Sequence, residues 1–114
     1  MLTDILNEYR SINGKQRIFS WNPVENDYCL AHCHYMAWNN KFEHTSDDLL
    51  KGKAEAIAFC DFQYSNEVTI RHLIYEVIDK SEEHMNIVLN SENLAYGFYI
   101  YNGKAYLTIR GWII

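Results

Sequence analysis

Three observations place the 114-residue chain in the α+β class. Helical periodicity dominates its first part, paired alternating strands close it, and no regular strand–helix alternation joins the two, which sets it apart from doubly wound folds. The length suits a single domain, residues 1–114, and is too short for two. With 48% hydrophobic residues the chain can fill one core. A formal net charge of -5, with Lys and Arg scattered, gives no footprint for nucleic acid or an anionic membrane surface, so no nucleic-acid partner is expected.

The first helix is expected over residues 2–12, where Leu2, Ile5, Leu6, Tyr9 and Ile12 form one stripe, with Thr3 or Asp4 capping its start. Asn13-Gly14 ends it. After a connector over residues 17–23, Asn22 followed by Pro23 reads as an N-cap with proline in the first turn. A second helix then runs to about Asn40, its apolar stripe read as Val24, Tyr28, Ala31, Tyr35 and Trp38, widened by Cys29, Cys33 and Met36. So wide a face predicts a helix covered on more than one side. Lys41 to Gly52 is a polar loop carrying His44, with a helical turn starting at Thr45-Ser46-Asp47-Asp48. Ala54 to Phe62 reads as a short strand carrying Glu55, and Tyr64 to Glu67 as a turn. The next helix begins near Thr69 on the Ile70, Leu73, Ile74, Val77, Ile78 face, which Ser81 extends inward, and a short helix follows from Glu82 to Leu89. Strands Leu94–Tyr101 and Lys104–Arg110 form a hairpin through Asn102-Gly103, a pair suited to a type I′ turn.

No cationic n-region and apolar run opens the chain, and no stretch approaches the roughly 20 apolar residues of a membrane span. The expectation is an intracellular protein as written, or an extracellular one if this is a trimmed mature domain. Three cysteines, an odd number, argue against a disulfide framework. Cys29 and Cys33 read as small buried residues, and Cys60 as a buried thiol. His32, His34 and His72 read as surface or helix-flank residues. A zinc cluster of Cys29, Cys33, His32 and His34 fails, because residues 32 and 34 point to opposite sides of a helix. Trp21, Trp38 and the nine tyrosines read as core before ligand platform.

A series of segments is similar to the CAP superfamily (cysteine-rich secretory proteins, antigen 5 and pathogenesis-related proteins; the SCP-like domain) in its short bacterial form. Leu6-Asn7-Glu8-Tyr9-Arg10, Trp21-Asn22 and the Met36-Ala37 step resemble the family's opening helices. Phe42-Glu43-His44 followed by Ala54-Glu55-Ala56-Ile57-Ala58, and Ser81-Glu82-Glu83-His84 leading to Ile87-Val88-Leu89-Asn90, resemble its two histidine segments. Tyr96-Gly97-Phe98-Tyr99 with Ala105 to Thr108 resembles its closing hairpin. Ala54 and Ala56 stand where the family often has glycine and asparagine, Ile87 where it usually has asparagine, and Ser81 where many members carry a second glutamate. The resemblance runs from Leu6 to Trp112 and implies an α-β-α sandwich, with a small antiparallel sheet between helix layers and a cleft flanked by two histidines.

Given that fold, His44 and His84 become candidate ligands of a weakly held divalent ion such as Zn²⁺, although no local zinc motif links residues forty apart. Glu55 and Ser81 are then expected behind the ligands, orienting an imidazole or a water. The expected function is a binding module whose cleft takes a divalent ion and a small apolar ligand or peptide, with protein or lipid partners implied by the resemblance. One alternative is a metal-assisted hydrolase, peptidase or esterase, with Glu55 as general base. Another is an interaction or antagonist domain with a vestigial cleft.

Overall fold

In a computed structural model, which describes residues 1–18 and 22–113, the middle layer is a three-stranded sheet of β1 (Ala54–Asp61), β2 (Asn93–Tyr101) and β3 (Lys104–Trp112). β3 lies between the other two and is antiparallel to both. The helices are α1 (Leu2–Ile12), α2 (Pro23–Asn39), α3 (Asp47–Leu50), α4 (Asn66–His72) and α5 (Glu82–Asn90), and α4 continues into a π-helical segment, Leu73–Ile78. α2 covers one face of the sheet; α1, α4 with its π segment, and α5 form the layer on the other. The architecture is the expected α+β sandwich with a C-terminal hairpin.

Strand alternation sorts the side chains between the two faces. Ala56, Ala58, Ala105, Leu107, Ile109 and Leu94 meet Leu6, Leu73, Ile74, Ile78 and Val88 in an aliphatic core. On the other face, Ile57 and Tyr106 meet Cys33, Met36 and Ala37 of α2. At Gly97 the backbone of α2 at Cys29 and Leu30 lies so close that a Cβ would overlap it. That contact seats α2 directly on the hairpin. The hairpin turns through Asn102 and Gly103 at φ 50° and 74°, the left-handed pair that a type I′ turn requires.

The family-like run in α1 holds the second layer together. Asn7 exchanges hydrogen bonds with the backbone of Ile18, donating at 3.0 Å and accepting at 2.8 Å. Arg10 is buried, donating to the carbonyls of Val88 and Ser91 at the end of α5 and of Gln16 after α1. A guanidinium thus satisfies helix-end carbonyls that have no partner inside the helix.

Asn22 caps α2 as expected, its side chain accepting from the N–H groups of Val24 and Glu25. Several expectations are corrected. Neither Thr3 nor Asp4 caps α1, whose N-cap is Met1, and the Thr3 hydroxyl instead pairs with that of Tyr96. α4 starts at Asn66, earlier than the apolar period implies, because the Ser65 hydroxyl accepts from Val68 N–H and caps it there. Val24, Tyr28, Ala31, Tyr35 and Trp38 face outward on α2, and among the described residues the helix is covered on one side only. Its buried face is Glu25, Cys29, His32, Cys33, Met36 and Ala37. Polar Glu25 and His32 occupy inward positions and disguise the period. His32 is therefore interior, not a surface residue, and Trp38, at 60% exposure, is no core residue. Trp21 lies outside the described residues. Cys29 and Cys33 are fully buried free thiols, whereas Cys60 is half-buried. Among the described residues no helix is long and apolar enough to cross a membrane.

Candidate functional site

Glu55 points to the α2 face of β1, with its side chain only 1% exposed. One carboxylate oxygen accepts from His44 Nδ1 at 3.0 Å and from Thr45 N–H at 2.8 Å. The other accepts from the Thr45 hydroxyl at 2.6 Å. The strand thereby clamps the loop that carries His44. A carboxylate only accepts, so the His44 proton sits on Nδ1 and, in the neutral ring, Nε2 keeps its lone pair. The ring itself is half open to solvent, its side chain 54% exposed.

α2 grips the same loop from the other side. His32 Nε2 pairs with the Glu43 carbonyl at 2.7 Å, and the Tyr35 hydroxyl donates to the Glu43 carboxylate at 2.5 Å. His44 is therefore held from two layers, which a surface loop ordinarily is not.

Beneath the clamp lies a charge cluster that the sequence reading missed. Arg110 of β3 stands opposite Glu55 in the β1–β3 register, and its side chain is 3% exposed. Its guanidinium faces Glu55 at 3.8 Å and Glu25 of α2 at 3.6 Å, donates to the Thr45 hydroxyl at 3.5 Å, and lies 5.6 Å from the centre of the Tyr28 ring. Lys53 completes the cluster, 3.5 Å from Glu25. Arg110 Nε and one Glu25 oxygen are buried with no hydrogen-bond partner among the described residues. The signal for Arg110 was an arginine at an inward position of a strand that otherwise buries Tyr106 and Thr108, but its partner strand is far away in sequence.

His84 comes from the first turn of α5, in the layer on the opposite face. Burial lowers its pKa, with Glu83 opposing and the His44 charge lowering it further. The two imidazoles are thus within electrostatic reach of each other. His84 Nδ1 is buried with no hydrogen-bond partner among the described residues. Ser81 is the N-cap of α5, its hydroxyl accepting from His84 N–H at 3.4 Å. It does not extend the Ile78 face inward, because the helix stops after Ile78 and its phase is lost through Asp79 and Lys80.

A cavity of about 540 Å³ opens beside His44, between α2 and the clamped loop. Tyr28, Ala31, Tyr35 and Leu49 form its walls, and Arg110 reaches it from the sheet. His84 is not among its lining residues. The donor set suits a divalent ion only modestly. Two imidazoles offer nitrogen, one with Nε2 free and one with an orphaned buried Nδ1, yet among the described residues no group of three or more His, Cys, Asp or Glu converges as a metal site.

No protein-family model and no curated relative matches the chain. Among solved structures it is similar to an extracellular protein containing an SCP domain from Bacillus anthracis str. Ames, with a TM-score of 0.64 and 24% identity over 95% of this chain. The match spans 38% of that protein, so the chain corresponds to little more than a third of its neighbour's length. The likeness is one of fold: helix layers around an antiparallel sheet, arranged as in an SCP domain.

Proposed function

We propose that the protein is a CAP-type binding module whose cleft holds a divalent ion, Zn²⁺ being the natural candidate, between His44 and His84. The observation that carries this reading is the fixed His44 ring: a buried carboxylate holds its Nδ1–H, leaving Nε2 available beside an open cavity. A carboxylate behind a histidine is the usual way to orient an imidazole ligand. The lowered pKa of His84 keeps its ring neutral to lower pH than an exposed histidine, as nitrogen coordination requires. When bound, the ion would supply Lewis acidity to an oxygen ligand in the cleft. With two protein ligands the site is weak and the remaining positions open to solvent or ligand. The solved SCP-domain neighbour is an extracellular protein, which favours the extracellular alternative for this chain.

Glu55 in this reading is a positioning residue. Both its oxygens are engaged by His44 and Thr45, and its side chain is sealed from solvent. A general base must instead reach the water it deprotonates. The hydrolase alternative therefore has no base in Glu55. Calorimetric titration with zinc tests the binding reading. Heat of binding is expected for the wild type and lost in His44→Ala and His84→Ala; equal heat in all three would end it.

A further inference from the structure

The cavity beside His44 has walls and a floor of different chemistry. Tyr28, Tyr35 and Leu49, which line it, are at least 38% exposed and present apolar surface to a ligand. At about 540 Å³ the space falls within the usual range for small-ligand pockets. Arg110, by contrast, is a buried cation whose donors are under-used. A guanidinium carries five N–H groups, and here its only hydrogen bond among the described residues is the long one to Thr45, while Glu25 and Glu55 stay at ion-pair distances of 3.6 and 3.8 Å. A ligand acceptor would find a donor there that the protein has not satisfied.

The charge balance limits what that acceptor is. Arg110 and Lys53 are already matched by Glu25 and Glu55, and Glu43 adds a further carboxylate on the cavity wall. An anionic group entering the cavity would meet no net positive field. A neutral carbonyl takes the hydrogen bond without that repulsion.

We propose that the cavity receives an internal residue of a peptide, an aromatic or branched apolar side chain packing on Tyr28, Tyr35 and Leu49 while a carbonyl of the same uncharged segment accepts from Arg110. The proposal rests on reading the chain as a binding module, and it does not require the metal. N-acetyl-phenylalaninamide is the minimal probe, because it joins a ring to amide carbonyls and bears no charge. The test is titration of this amide, followed by the backbone resonances of Ala31, Thr45 and Ser46, with N-acetyl-phenylalaninate as the anionic control. The amide should shift these resonances in a saturable way, and the carboxylate should bind about tenfold more weakly, the scale of one charge-assisted hydrogen bond replaced by repulsion. Arg110→Lys, which loses the planar fork, should weaken the amide to a similar degree.

Because Arg110 variants can fail to fold, Ala31→Trp supplies an independent arm. Ala31 is exposed on α2 and lines the cavity, so the indole fills the space without touching the charge cluster. It should abolish amide binding and leave the zinc heat intact, whereas His84→Ala should abolish the zinc heat and leave amide binding intact. Absence of saturable shifts in the wild type, amide binding that survives Ala31→Trp, or a carboxylate that binds as tightly as the amide would each overturn the proposal. Amide binding without any zinc heat would instead refute the metal reading alone.

Discussion

The two faces of the sheet divide the work of the molecule. The face under α1, α4 and α5 is sealed with aliphatic side chains, and its polar members, Asn7 and Arg10, have their hydrogen bonds made. The face under α2 holds a smaller apolar cluster, then the loosely paired charges of Glu25, Glu55 and Arg110, then an open cavity. Buried polar groups without partners cost stability; among the described residues, Glu25 and Arg110 each leave such an atom on the α2 side, while His84 Nδ1 does so in the α5 layer. The contrast teaches that the first face sets how firmly the domain folds, and the second spends part of that stability on a site.

The comparison is broken most forcefully at Arg110. Arg110→Met strands two carboxylates on the α2 face and is expected to lower unfolding free energy by about 3–5 kcal/mol in urea titrations; a loss well below about 1 kcal/mol would mean that the cluster is effectively solvated. Leu107→Ala on the aliphatic face should cost about 2–5 kcal/mol through its cavity. It should leave the zinc heat per folded molecule unchanged, which separates the two faces directly. Glu55→Gln keeps the side-chain shape but exchanges an ionised acceptor for an amide. A loss of about 1–3 kcal/mol is expected, with weaker zinc binding as His44 loses its anchor.

The pH response sharpens the same contrast. Burial pushes the thiols of Cys29 and Cys33, both at the α2 interface, up to about 12 from a reference of 9.0. The unfolded chain therefore releases these protons first. Their contribution to stability is full below about pH 9 and is lost as pH rises from there towards 12. Replacing both with alanine should flatten the alkaline limb of the stability profile. The smallest effect is expected outside both cores, at Trp38→Ala. This removes an exposed indole stacked on His34 and donating to the Tyr99 hydroxyl at 3.1 Å, and should cost under about 1 kcal/mol in the same titrations.

Much of this was legible in the chain because local signals carried it. The α1 period, Asn22-Pro23 and the Asn102-Gly103 turn act within a few residues, and each lies where the pattern put it. The apolar period after Thr69 located the helix but missed its start at Ser65 and the π turn at Leu73. α2 misled for a definable reason: Glu25 and His32 face inward because Arg110, Lys53 and the Glu43 carbonyl await them, and none of these is near in sequence. The aromatic residues of α2 that would normally mark a buried face line the cavity, as Tyr28 and Tyr35 do, or stand exposed beside the hairpin, as Trp38 does. His44 and Glu55 were found through their setting in a family-like series, and the structure joins them by a hydrogen bond. Glu25, Thr45 and Arg110 were not found, because pairing Glu55 with Arg110 needs the β1–β3 register, which no local pattern encodes.

In the proposed cleft His44 and His84 share one ion. Anomalous scattering at the zinc edge, from crystals soaked in zinc, tests it most directly. A peak is expected in contact with His44 Nε2 and a nitrogen of His84, absent in His84→Ala crystals. Zinc found only on surface carboxylates, or on His44 with His84 turned away, would contradict it.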